Sequence, residues 1–209
     1  EYTSQPINLY CIKEEEDMAF VEGGYKKIKK TRINVKSFHI DVDEVSCWSY
    51  SQFVKENPKC GRMPFQENFR IANMNDVFYP VCGVAWENAK CYCESIGKQL
   101  PTVDQWEYAA NGGKFYATKE SAIVDADDNE ENGWEFGRLN ENSLGIKGMT
   151  SNAAEWCIDA ERQNPKLKAI KGLQRFLIEY NNSDTKYIDQ NSELFRKTGF
   201  RCIKSINHE

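Results

Sequence analysis

Apolar residues recur over residues 85 to 96 with the period of a helix. Ala85, Ala89, Tyr92, Cys93 and Ile96 stand at i, i+4, i+7, i+8 and i+11, one face of a 3.6-residue turn. Gly97 is the expected stop. Just downstream, Thr102 and Gln105 have the S/T-x-x-E/Q spacing of a capping box, which predicts a helix through Ala110 closed by Gly112-Gly113. A less regular helix is expected over Cys47 to Lys55, capped by Ser46, with Trp48 and Phe53 facing inward. Ahead of it, Ile33, Val35 and Phe38 alternate roughly with lysine and asparagine, the pattern of a half-buried strand running to Ile40. Short strands should flank the Gly23-Gly24 turn, and Gly199 to Lys204 reads as a closing strand. Residues 57 to 75 and 114 to 148 are loop-rich. No repeat and no low-complexity linker interrupts the 209 residues, so one α+β domain over residues 1 to 209 is expected.

Composition narrows the options. Hydrophobic content of 40% and aromatic content of 12%, spread along the chain, indicate a packed core rather than disorder. A net charge of −5 argues against nucleic acid as a partner, because phosphate binding wants a basic face. No run approaches the roughly 20 apolar residues that cross a bilayer, so no transmembrane segment is expected.

The eight cysteines are an even and high count. Their pattern does not suit zinc: Cys91 and Cys93 form CxC, and the histidines are His39 and His208 alone. Disulfides suit it better and imply an oxidising compartment, namely secreted, periplasmic or on the exterior of a cell envelope. Two positions apart on a helix is about 200°, so Cys91 and Cys93 should take different partners, with Cys93 on the core face. Cys47 and Cys60, close in sequence, are candidates to clasp the loop after the first helix. Cys11, Cys82, Cys91 and Cys157 stay unassigned.

Several motifs together resemble one family. Phe38, Ile40, Asp41, Glu44 and Val45 fit F-x-I-D-x-x-E-V, and Val84, Trp86, Ala89, Tyr92 and Cys93 fit V-x-W-x-x-A-x-x-Y-C. Leu100, Pro101, Thr102, Trp106, Glu107, Tyr108, Ala109, Ala110, Gly112 and Gly113 fit a long L-P-T-to-G-G block. Asn152, Glu155, Trp156 and Asp159 follow an N-x-x-E-W-x-x-D pattern, and Gly199, Phe200 and Arg201 give G-F-R. Over about residues 35 to 203 the chain resembles the formylglycine-generating enzyme, or sulfatase-modifying factor, domain. That resemblance implies a C-type-lectin-like fold of low regular-structure content, stabilised by disulfides. It implies a bond between the helix cysteine and the one after G-F-R, here Cys93 and Cys202. Closing so long a loop is worth a few kcal/mol in the chain-entropy model. It also implies that Asn152 and Glu155, with nearby carbonyls, hold calcium, an ion suited to oxygen ligands. Ser151 replaces the family's glycine there.

The resemblance fails where catalysis would sit. Catalytic members bind copper through two closely spaced cysteines, soft ligands that other side chains cannot imitate. The corresponding stretch, Ile170 to Tyr180, has no sulfur, and no cysteine lies between Cys157 and Cys202. Copper-dependent oxidation of a substrate cysteine is therefore not expected. The family's iron branch needs histidine ligands, and His39 and His208 form no facing pair. The expectation is a non-catalytic binding or structural module that presents loops to a protein or glycan partner. The alternative is an enzyme of the family with other active groups, drawn from Glu107, Arg175 and Asp159. Trp134 and Phe136, in a loop, are candidate ligand contacts, whereas Trp86, Trp106 and Trp156 are expected in the core. The acidic run 125 to 132 fails as an EF-hand loop, since Glu130 stands where glycine is required. Asn181-Asn182-Ser183 has the form of a glycosylation sequon.

Overall fold

The computed structural model describes residues 17–28, 31–62, 79–115, 141–149, 152–172 and 185–206. In chain order the elements are β1 (Met18–Val21), β2 (Gly24–Ile28), β3 (Thr31–Val35), β4 (Phe38–Asp41), α1 (Cys47–Glu56), α2 (Trp86–Ser95), α3 (Val103–Ala110), β5 (Ala154–Ala160), β6 (Lys168–Lys171), β7 (Lys186–Ile188), a 3-10 turn (Glu193–Lys197), β8 (Thr198–Gly199) and β9 (Ile203–Ser205). The fold is mixed α and β, with β1-β4-β9 in one antiparallel sheet, β2-β3 as a hairpin, and β7-β6-β5-β8 in a second sheet. Its last pair, β5 and β8, is parallel.

The helices begin where their caps dictate. Ser46 Oγ accepts from the Ser49 N–H at 3.0 Å, which starts α1. Both halves of the α3 capping box form: the Gln105 N–H donates to Thr102 Oγ1 at 3.1 Å, and the Thr102 N–H donates to Gln105 Oε1 at 3.0 Å. Helix α1 buries Tyr50, Ser51 and Phe53, while Trp48 is only half-buried. Five positions from Phe53 is about 140° around the helix, so Trp48 cannot share its face; Tyr50, three positions away, does.

The strand expected to run unbroken to Ile40 is divided at Lys36-Ser37 into β3 and β4, which join different sheets. The strands flanking Gly23 likewise part company, β1 pairing with β4 and β2 with β3. The two links lie against each other. The Gly23 N–H donates to Ser37 Oγ at 2.9 Å, and a Cβ at Gly23 would stand 2.7 Å from both Ser37 N and Val35 O. Only glycine permits that approach.

Among the described residues, buried hydrophobic side chains fall into two clusters. In one, Tyr50, Phe53, Tyr92 and Phe200 meet as aromatic neighbours, with Phe53–Tyr92 and Tyr92–Phe200 centroids 5.2 and 5.4 Å apart in edge-on geometry. In the other, Trp106 packs with Phe38, Ile40 and Ile203. Cys93 and Cys202 form a disulfide that ties α2 to the last turn before β9, Cα to Cα 5.7 Å. Cys60 pairs with Cys91, Cα to Cα 6.4 Å, and not with Cys47. Cys47 opens α1 and Cys60 follows its end, so the ten-residue helix (about 15 Å long) holds them beyond disulfide reach. The Cys47 thiol donates instead to the Pro80 carbonyl. Among the described residues no helix is long and apolar enough to cross a membrane.

Candidate functional site

Two places in the fold concentrate polar chemistry: a buried ionic centre and an open groove. The ionic centre is built on Arg201, between β8 and β9, which has no exposed surface. Its Nε donates to both Glu155 oxygens at 2.9 Å, and Nη2 donates to Glu155 Oε1 at 2.8 Å. The remaining donors reach the carbonyls of Asp41, Val42 and Lys147 at 3.1, 2.8 and 2.8 Å. Trp106 Nε1 donates to Glu155 Oε2 at 2.7 Å. Glu44, 3% exposed, is the second acid of the centre, its Oε2 3.6 Å from Arg201 Nη2. One guanidinium therefore faces two carboxylates, and Glu155 holds the better geometry. Burial, opposed by Arg201 and reinforced by Glu155, raises the Glu44 pKa from 4.5 to about 8.

Glu155, one of the two positions that the family resemblance gives to calcium, belongs to this centre. Glu155 commits both oxygens to Arg201 and Trp106, so a cation would have to displace a guanidinium. Asn152 is fully buried, and neither amide atom has a hydrogen-bond partner. Among the described residues no group of three or more histidine, cysteine, aspartate or glutamate side chains is arranged to hold a metal.

The groove lies on the other side of Trp156, where three segments distant in sequence meet. Ala85, Trp86 and Glu87 come from the start of α2, Lys166 and Lys168 from the approach to β6, and Ile188 to Asn191 with Phe195 from the end of the chain; they enclose about 470 Å³. A second hollow of about 350 Å³ shares Ala85, Gln190, Asn191 and Phe195 and adds Arg62 and Asn88. Trp86, expected in the core, is half-buried and forms the wall. Its Nε1 donates to the Cys157 carbonyl at 2.8 Å, and Lys168 Nζ sits 4.3 Å from the ring centroid. Asp189 is fixed by the Asn191 backbone and side-chain N–H groups at 2.9 and 3.3 Å.

The Sulfatase-modifying factor enzyme 1-like domain matches residues 10–206. The chain belongs to this family. A serine/threonine-protein kinase pkn1 of Chlamydia pneumoniae is 27% identical over 159 residues, which are 66% of this chain and 25% of the kinase. The inactive C-alpha-formylglycine-generating enzyme 2 of Bos taurus is 51% identical over 35 residues, 17% of this chain and 12% of that protein. The matches thus span a quarter or less of these relatives. Among solved structures, PvdO from Pseudomonas aeruginosa superposes with a TM-score of 0.67 at 14% identity, covering 90% of this chain and 94% of that one; it shares the fold.

Within this family scaffold, the described cysteines are disulfide-bonded or buried except Cys47, which is half-buried and outside any disulfide. Cys60, Cys91, Cys93 and Cys202 are disulfide-bonded. Cys82 and Cys157 are 2% and 0% exposed, and burial pushes both thiols well up. Of the stretch 170 to 180, Ile170, Lys171 and Gly172 are described. Lys171 is fully buried and donates to Glu107 Oε1 at 2.8 Å. Asp159 Oδ2 accepts from the Val103 N–H at 2.8 Å, serving the first turn of α3. The carboxylates considered for an alternative chemistry are thus engaged separately. Arg175, Trp134, Phe136 and the sequon at 181 to 183 lie outside the described residues. The sequence motifs included Glu44 without assigning it a part in a buried ionic centre, and they did not reveal the groove. Arg201 offered the one available signal for Glu44, because a buried arginine needs acids and the motifs supply Glu44 and Glu155.

Proposed function

We propose that this chain is a non-catalytic binding module on the formylglycine-generating-enzyme scaffold, presenting its loops to a protein or glycan partner outside the reducing cytoplasm. One observation carries the reading: the sequence has no cysteine between Cys157 and Cys202, the interval where the family's copper chemistry needs a thiolate pair. Of the three thiols outside disulfides among the described residues, Cys82 and Cys157 are buried and held protonated, and the half-buried Cys47 thiol donates to the Pro80 carbonyl. The two disulfides support a secreted, periplasmic or envelope-exterior location. The scaffold then acts as a rigid frame, and function resides in what its loops display.

The reading is tested by incubating the purified chain with copper, oxygen and a cysteine-containing peptide while following oxygen uptake and peptide mass. No oxygen uptake and no aldehyde are expected. Conversion of the peptide thiol to an aldehyde would overturn the proposal.

A further inference from the structure

We infer that the groove walled by Trp86 is a saccharide site, taking an uncharged, hydroxyl-rich ligand such as a short neutral oligosaccharide. The inference rests on the binding-module reading and gives it a place and a ligand class. Its support is the composition of the lining. Lys166 and Lys168 offer donors, Glu87 and Asp189 offer acceptors, and Gln190 and Asn191 offer both. Sugar hydroxyls each donate and accept, so a wall mixing all three kinds of group matches them. The two cations and two carboxylates of this hollow balance, and the adjoining hollow adds a single charge, Arg62, so the net field that could draw a charged peptide is small.

Apolar lining is sparse: Ala85 and Trp86 at the wall, with Trp156, Ile188 and Phe195 buried beneath. Lys168 lies over the Trp86 ring, so the hollow offers hydrogen-bonding groups more than an open aromatic face, and too little apolar surface to hold an apolar peptide. At about 470 Å³, with a contiguous 350 Å³ hollow, the groove falls in the size range of small-ligand sites. The geometry is also held in advance. Trp86 is fixed by its bond to the Cys157 carbonyl, and Asp189 by Asn191.

The test is saturation-transfer NMR of the purified chain with a panel of neutral mono- and oligosaccharides, followed by titration of whichever binds. The variants Gln190→Ala and Lys166→Ala, both at exposed positions, should weaken binding about tenfold each with the melting temperature unchanged. Two outcomes would overturn the saccharide site: no transfer from any neutral sugar at millimolar concentration, or binding that both variants leave intact. Binding of a peptide alone, abolished by the same variants, would also overturn it while leaving the binding-module reading standing. Aldehyde formation in the copper assay would instead remove the module reading itself.

Discussion

Arg201 keeps its charge in a place with no exposed surface because Glu155 meets it with paired hydrogen bonds and three carbonyls take its other donors. Glu44 is then surplus. A second carboxylate beside one already neutralised cation has no charge partner of its own, and Glu44 Oε2 makes no hydrogen bond. Burial penalises that charge most, Arg201 only partly opposes it and Glu155 adds to it, so the folded pKa rises to about 8 from 4.5. The sign follows: the folded state binds the proton more tightly than the unfolded chain. The stabilisation is complete below the unfolded pKa of 4.5 and is lost as pH climbs through the folded value of about 8. Melting temperature should accordingly decline between about pH 5 and pH 8. Glu44→Gln, which supplies the neutral form permanently, should flatten that decline. Scanning calorimetry of both proteins across the range checks this, and equal slopes would show that Glu44 is not the group responsible.

At the scale of elements, two disulfides meet on one helix and do different work. Cys93–Cys202 closes a separation of 109 residues and joins the core face of α2 to the chain's end; Cys60–Cys91 closes 31 residues and fastens the loop after α1 to the helix's outer side. In the chain-entropy model the longer closure is worth about 5 kcal/mol and the shorter about 4 kcal/mol. Replacing Cys93 and Cys202 together by alanine should thus cost more than replacing Cys60 and Cys91. The difference should widen further because Cys93 and Cys202 also fill the aromatic core. Denaturant titration of the two double variants makes the comparison, and a larger loss for the Cys60/Cys91 variant would contradict it. Helix periodicity had already separated Cys91 from Cys93. It could not find Cys60 for Cys91, because that pairing depends on where the loop after α1 turns back.

Across the whole molecule, what the sequence disclosed follows from how local each signal is. The α3 capping box and the Gly97 stop of α2 are written within a few residues and appear as expected. Sheet membership is not local: β1 and β2 adjoin in sequence yet enter different sheets, decided by the contact between Gly23 and Ser37. The groove, assembled from residues 85 to 87, 166 to 168 and 188 to 195, has no local signature at all. The same limit bears on calcium. Family likeness points to Asn152 and Glu155, but which atoms are free depends on Arg201, which lies 46 residues from Glu155 in sequence. Calcium takes six to eight oxygens at about 2.3–2.6 Å, and Glu155 has none to spare while the guanidinium stays. Entry of the ion would break the Arg201 and Trp106 bonds and set two cations side by side. Calcium should therefore give no stabilisation through this centre, and chelator no loss. Thermal melts of the wild type and Asn152→Ala, with millimolar calcium and with chelator, decide the point. A calcium-dependent rise present in the wild type and absent in Asn152→Ala would mean that the ion does displace the arginine.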